Sequence, residues 1–176
     1  MILGTVRRLS DVGVWLAGIS TLLMMAHISA DVALKYLINW PIPGTLEIVS
    51  AYYMVAAVFL PIAIVELYRS SIAVDTVYQF LPRSLKFFCM ILVFVTSAVV
   101  YMTLAWTSWG DALRSFAVGE VIMGNIAVSV WPSRFLMPVS LLLAGIVCLW
   151  HLSRLLFSKE GRDELIAVTE PQVEPE

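Results

Sequence analysis

Two histidines, two cysteines and a few carboxylates in apolar surroundings are the residues of this chain that could do chemistry. His27 and Asp31 stand four residues apart, so on a helix they share a face and could pass a proton. Lys35 lies one turn further and can pair with Asp31. Asp31 falls near the end of its apolar run, where a charge costs well below the ~2.5–3.5 kcal/mol of a mid-bilayer site. A polar seam satisfied by neighbouring helices therefore outweighs a relay. Glu66 and Arg69 read as a flanking pair at the far end of the second apolar run. His27 and His151 are the candidate axial ligands for a haem, but along their helices they differ in depth by roughly 10 Å, a poor fit to one iron. Cys89 and Cys148 fall inside apolar runs and read as small apolar side chains, with no disulfide or metal site expected. There is no glycine-rich phosphate loop, nucleophile elbow or clustered metal set. The chain does not read as an enzyme, no cofactor is expected in it, and no ionisable residue is expected near mid-membrane.

The elements that must position these residues follow from composition. Of 176 residues, 60% are hydrophobic and 14% charged, against roughly half and a quarter in soluble domains. The apolar residues gather in four runs, about 12–36, 46–67, 86–109 and 134–157, each near the ~20 residues that cross a bilayer core. The expected fold is an all-α integral membrane protein of four transmembrane helices, 1–157, followed by an acidic disordered tail, 158–176. The first run has features of an export signal, but its apolar character resumes past Asp31 and a retained helix is the better reading. A net charge of −2 and the lack of a basic tract argue against nucleic acid. With both termini in the cytoplasm, eight of the 11 basic residues lie inside and three outside, as membrane proteins prefer.

On that orientation the stretch "NWPIPGTLEIV" is the first outer turn. Pro41 and Pro43 deny the backbone a helix and Gly44 allows a tight bend. Glu47 then opens the second helix, where it either meets the helix dipole at the headgroup level or contacts something docking from outside. Between the second and third spans, Val74, Val77, Tyr78 and Leu81 make one apolar stripe ended by Pro82. They predict a short interfacial amphipathic helix, or a docking helix for a partner. Segment 110–133 is long for a structureless loop; it is expected to extend the third helix and to pack "VIMGNIAVSVWP" onto the bilayer or another protein. Trp106, Trp109 and Trp131 mark the outer interface.

Polar atoms inside lipid should face protein, so their angular position is informative. In the first span Gly13, Ala17, Ser20, Met24, His27 and Asp31 form one face, opposite Trp15, Ile19 and Leu22. The third offers Cys89, Thr96, Val100, Thr103, Thr107 and Gly110; the fourth offers Met137, Ser140, Ala144, Val147 and His151. Small and hydroxyl residues at this spacing allow close helix contact, with this chain or another. The chain reads as a membrane-embedded structural or docking subunit. The alternative is the membrane anchor of a redox enzyme.

The stretch from Asp31 to Pro82 resembles the small membrane subunit of tripartite ATP-independent periplasmic (TRAP) transporters, the DctQ-like component. The resemblance rests on Lys35-Tyr36, Asn39, Pro41 and Pro43, Glu47, Arg69, the Ile72–Asp75 run and Leu81-Pro82. It continues through Trp109-Gly110 and "VWPSRFLMPVSLLLAGI", covering most of residues 10–157. Lys35 stands where arginine is commoner, and the histidine often found before the aliphatic-Val-Asp run is missing. The resemblance implies a scaffold in the bacterial inner membrane beside a large membrane subunit that carries the substrate and sodium sites. A periplasmic binding protein would deliver an organic acid or related solute. Lys35, Asn39, Pro41, Pro43, Glu47, Arg69, Asp75, Trp109 and Gly110 would form the partner surface.

Overall fold

The computed structural model describes residues 2–68 and 82–158. Helix α1, Ile2–Ile38, has 37 residues and is about 55 Å long at 1.5 Å per residue. It stops where Asn39 takes a left-handed φ of 54°, a conformation asparagine tolerates better than most residues. The Trp40 N–H then folds back to the Leu34 carbonyl.

The second span, Thr45–Leu67, is a helix in pieces. It comprises α2 (Thr45–Ile48), a π-helical turn (Val49–Tyr53), α3 (Met54–Phe59) and α4 (Ile62–Leu67). Pro61 causes the later break, since it has no N–H to give the preceding turn. At the earlier irregularity, the hydroxyl of Ser20 on α1 donates to the Tyr53 carbonyl at 3.2 Å. A residue of the first span thus serves the backbone exactly where local helical geometry changes, as irregular membrane helices require.

Helix α5, Arg83–Val118, begins after the extended Pro82 and ends at Gly119, whose φ is 62°. The Gly119 N–H reaches the Phe116 carbonyl and the Glu120 N–H that of Ser115, the paired bonds that close a helix around a left-handed residue. Strands β1 (Val121–Met123) and β2 (Ala127–Ser129) follow as an antiparallel hairpin in which Ile122 faces Val128. A short α6 (Trp131–Arg134) leads into α7 (Leu136–Phe157). The all-α expectation is thus corrected by one small hairpin. Its three-residue strands are too short to print an alternating pattern.

Four helices are long and apolar enough to cross a membrane: Ser10–Ile38, Thr45–Leu67, Arg83–Val118 and Trp131–Phe157. The fourth packs most extensively on the third and next on the second, while the first packs mainly on the second. The neighbour order is therefore first, second, fourth, third. The core sits on the fourth span, where Leu141, Ala144, Val147, Cys148 and Leu155 are buried. A Cβ on Gly145 would meet Met102 Cε at 3.0 Å, so the missing side chain permits the close crossing. Between the first two spans, a Cβ on Gly13 would lie 2.9 Å from the Leu60 carbonyl oxygen. Contacts of this kind carry helix association in lipid, where burial from water contributes little. The interfacial helix expected around 74–81, Arg69 and Asp75, and the tail beyond Ser158 lie outside the described residues.

Candidate docking platform

Glu47 organises one end of the molecule. It occupies the first turn of α2 and is buried. Its Oε1 accepts the Asn125 N–H at 2.6 Å, so the carboxylate holds the tip of the hairpin. The fit needs glycine on the other side: a Cβ on Gly124 would overlap the Glu47 carboxylate, and one on Gly44 would overlap the Ile126 side chain. Gly44 also has a φ of 82°, which an L side chain rarely adopts. The hairpin therefore closes over the 41–47 turn.

The hairpin base is fastened separately. The Tyr52 hydroxyl donates to the Ser129 carbonyl, and the Val130 N–H donates to the Glu120 carbonyl at 2.9 Å. Arg134 Nη2 donates to Glu120 Oε1 in an ion pair. That guanidinium holds the Glu120 carboxyl below its ordinary value of 4.5. Phe116 and Trp131 meet edge to face at 5.1 Å, as do Trp109 and Phe135 at 6.0 Å. The result is a hairpin pinned at tip and base whose Met123 is 87% exposed.

The residues expected at a partner surface take different parts here. Lys35, Asn39, Pro41 and Pro43 are exposed around the turn, and Trp109 and Gly110 are exposed on α5. Asp31 does not pair with Lys35 as expected; its Oδ1 accepts the Ile42 N–H at 2.6 Å and closes the turn. Glu47 stands in the first turn of its helix as expected, but it is buried beneath the chain's own hairpin and not presented to an outside partner. The sequence pattern could not disclose this, since Asn125 lies 78 residues away.

Along the first span, Gly13, Ala17 and Ser20 are buried and Met24, His27 and Asp31 half-buried. His27 meets the Tyr53 ring edge-on at 5.9 Å. On the fourth span Ser140, Ala144, Val147 and His151 are buried, and His151 stacks on Phe94 at 5.5 Å. The two histidine rings thus serve separate contacts. On the third span Thr96, Val100, Thr103, Thr107 and Gly110 are exposed. The side that packs within the chain carries Met90, Phe94, Ala98, Ala105 and Ala112 instead.

Glu66 has contacts that its place in the sequence does not reveal. Glu66 points between helices: Cys148 Sγ donates to its Oε1 at 3.1 Å and the Tyr101 hydroxyl to its Oε2 at 3.4 Å. Tyr101 stands at the middle of the 36-residue α5, and Glu66 reaches it from near the end of the second span, Thr45–Leu67. Among the described residues, no group of three or more His, Cys, Asp or Glu is placed to hold a metal.

The spans run first, second, fourth, third, with a hairpin pinned over the first turn. Comparisons with curated proteins and with solved structures give no significant match. Residues 24–158 match the family described as "Tripartite ATP-independent periplasmic transporters, DctQ component". That match takes in the turn, the Glu47 latch, the hairpin and three complete spans, and the chain belongs to this family of transporter small subunits.

Proposed function

We propose that this chain is a static scaffold in a bacterial inner membrane, set beside the large subunit of a sodium-coupled transporter for an organic acid or related solute. Both termini lie in the cytoplasm, and the hairpin end faces the periplasm. The observation that carries this reading is how little of the spans their own chain covers. Only 17% of the apolar window is buried in each of the first three spans, while the polar groups at Glu47, Asp31 and Glu66 are already engaged internally. Such a body has fixed shape and spare apolar surface, which suits a brace for a moving partner. The basic-residue distribution supports the orientation, and the exposed turn of Lys35, Asn39, Pro41 and Pro43 with the hairpin supports docking of a solute-binding protein. The coupling sodium and the solute would be held by the large subunit.

Deletion of the chain should abolish uptake, and the chain should co-purify in mild detergent with a large polytopic partner. Uptake at the normal rate in the deletion strain would overturn the scaffold role. Co-purification with a soluble dehydrogenase in place of that partner would restore the redox-anchor reading.

A further inference from the structure

Beside the hairpin the molecule has a cleft of about 340 Å³, within the usual range of a small-ligand site. Val55 and Phe59 of the second span, Met137 of the fourth and Ile122 of the hairpin give it apolar walls. The second and third spans make few contacts with each other, and the fourth packs on both. The cleft therefore lies between them with the fourth span as its floor.

Two charges complete its lining, Asp111 and Arg134, and both are exposed. Asp111 has neither a hydrogen bond nor an ion pair among the described residues. Arg134 gives Nη2 to Glu120 and keeps its remaining guanidinium donors. Trp109 lies two residues before Asp111, and Trp131 three before Arg134. Tryptophan at the end of an apolar span marks the headgroup level, so the charged lining stands where a lipid's polar part lies and the apolar walls run beneath it.

A ligand matching this lining needs a cation for Asp111, an anion for Arg134 and a hydrocarbon chain for the walls. We propose that the cleft binds one phospholipid with a primary-amine headgroup, of the phosphatidylethanolamine type. The ammonium donates to Asp111, the phosphate accepts from Arg134, and an acyl chain lies against Val55, Phe59 and Met137. Phosphatidylglycerol supplies the anion without the cation. Phosphatidylcholine supplies a cation with no N–H to donate.

The test is native mass spectrometry of the full chain released from detergent with equal amounts of the three lipids. One phosphatidylethanolamine should stay bound at activation energies that strip the other two. Asp111→Asn, an exposed substitution, should lower its retention about tenfold, the loss of one charge-assisted hydrogen bond. Met137→Trp, which fills the floor, should remove it, with circular dichroism confirming that each variant keeps its helices. Equal retention of the three lipids by the natural chain, or unchanged retention in Asp111→Asn, would overturn the proposal. So would full competition by soluble phosphoethanolamine, since the headgroup alone would then account for binding.

Discussion

Glu47 shows how the role of a carboxylate is set by what lies above it. At a helix start it gains about 0.3–1 kcal/mol from the dipole, but here it also accepts the Asn125 N–H under the hairpin tip. Leaving that amide unpaired would cost about 1–3 kcal/mol if it stays out of water. Glu47→Gln keeps an acceptor and should leave the hairpin closed. Glu47→Lys places a donor against a donor and should open it, lowering solute uptake more than His27→Ala does. The reverse ranking in a transport assay would favour a proton relay through the first span. At the hairpin base, Arg134 lowers the Glu120 carboxyl below its ordinary 4.5. A carboxyl lowered on folding contributes its full stabilisation above the unfolded value and loses it as pH falls through the folded one. The Val130 amide, bonded to the Glu120 carbonyl, should therefore keep one NMR shift from about pH 5 to 8 and move only in stronger acid. A transition between pH 6 and 8 would assign the base of the hairpin to another group.

Among the elements, the first two spans depend on one absent side chain. A Cβ on Gly13 would press on the Leu60 carbonyl at the Pro61 break, whereas one on Gly18, on the same helix, would meet nothing within 4 Å. Gly13→Ala should lower thermal stability in detergent by an overpacking cost of about 1–3 kcal/mol. Gly18→Ala should be neutral or slightly stabilising, since alanine is the better helix former. Equal effects would mean that the close approach at Leu60 does not govern stability. The same pair of spans shows what sequence could disclose. Gly13, Ala17 and Ser20 recur at helical spacing because they must face a neighbour, and that spacing marks the buried side of α1. The third span has its contact face in Phe94, Ala98 and Ala105, apolar residues among other apolar residues. In lipid, hydropathy does not tell the protein side of a helix from the lipid side, so the threonine stripe does not mark the face that packs within this chain. The contacts of Glu66 with Cys148 and Tyr101 span 82 and 35 residues of chain, while its expected partner Arg69 lies outside the described residues. The four spans were legible from composition. The hairpin and the two carboxylate contacts depend on tertiary placement, which leaves no local period to read.

For the whole molecule, the open neighbour order leaves the outer side of the third span uncovered by its own chain. Thr96, Val100, Thr103 and Thr107 line that side, and the Thr107 hydroxyl donates to the Thr103 and Leu104 carbonyls at 3.1 Å. A back-bonded threonine needs no partner to satisfy it, so the stripe is cheap to expose to lipid and equally available to a helix from another subunit. The scaffold reading assigns the stripe to the large subunit, because small side chains there allow two backbones to approach closely. Thr103→Trp separates these cases. The residue is exposed in the chain alone, so the substitution should leave its helicity and thermal midpoint unchanged. At a helix–helix contact an indole would hold the two backbones apart, and the large subunit should no longer co-purify. Trp106, already 84% exposed one turn away, shows that an indole on the outward side of this helix is compatible with the fold. Retention of the partner by Thr103→Trp would turn the stripe toward lipid and leave the first span's outward face, around Gly18, as the side on which the large subunit packs.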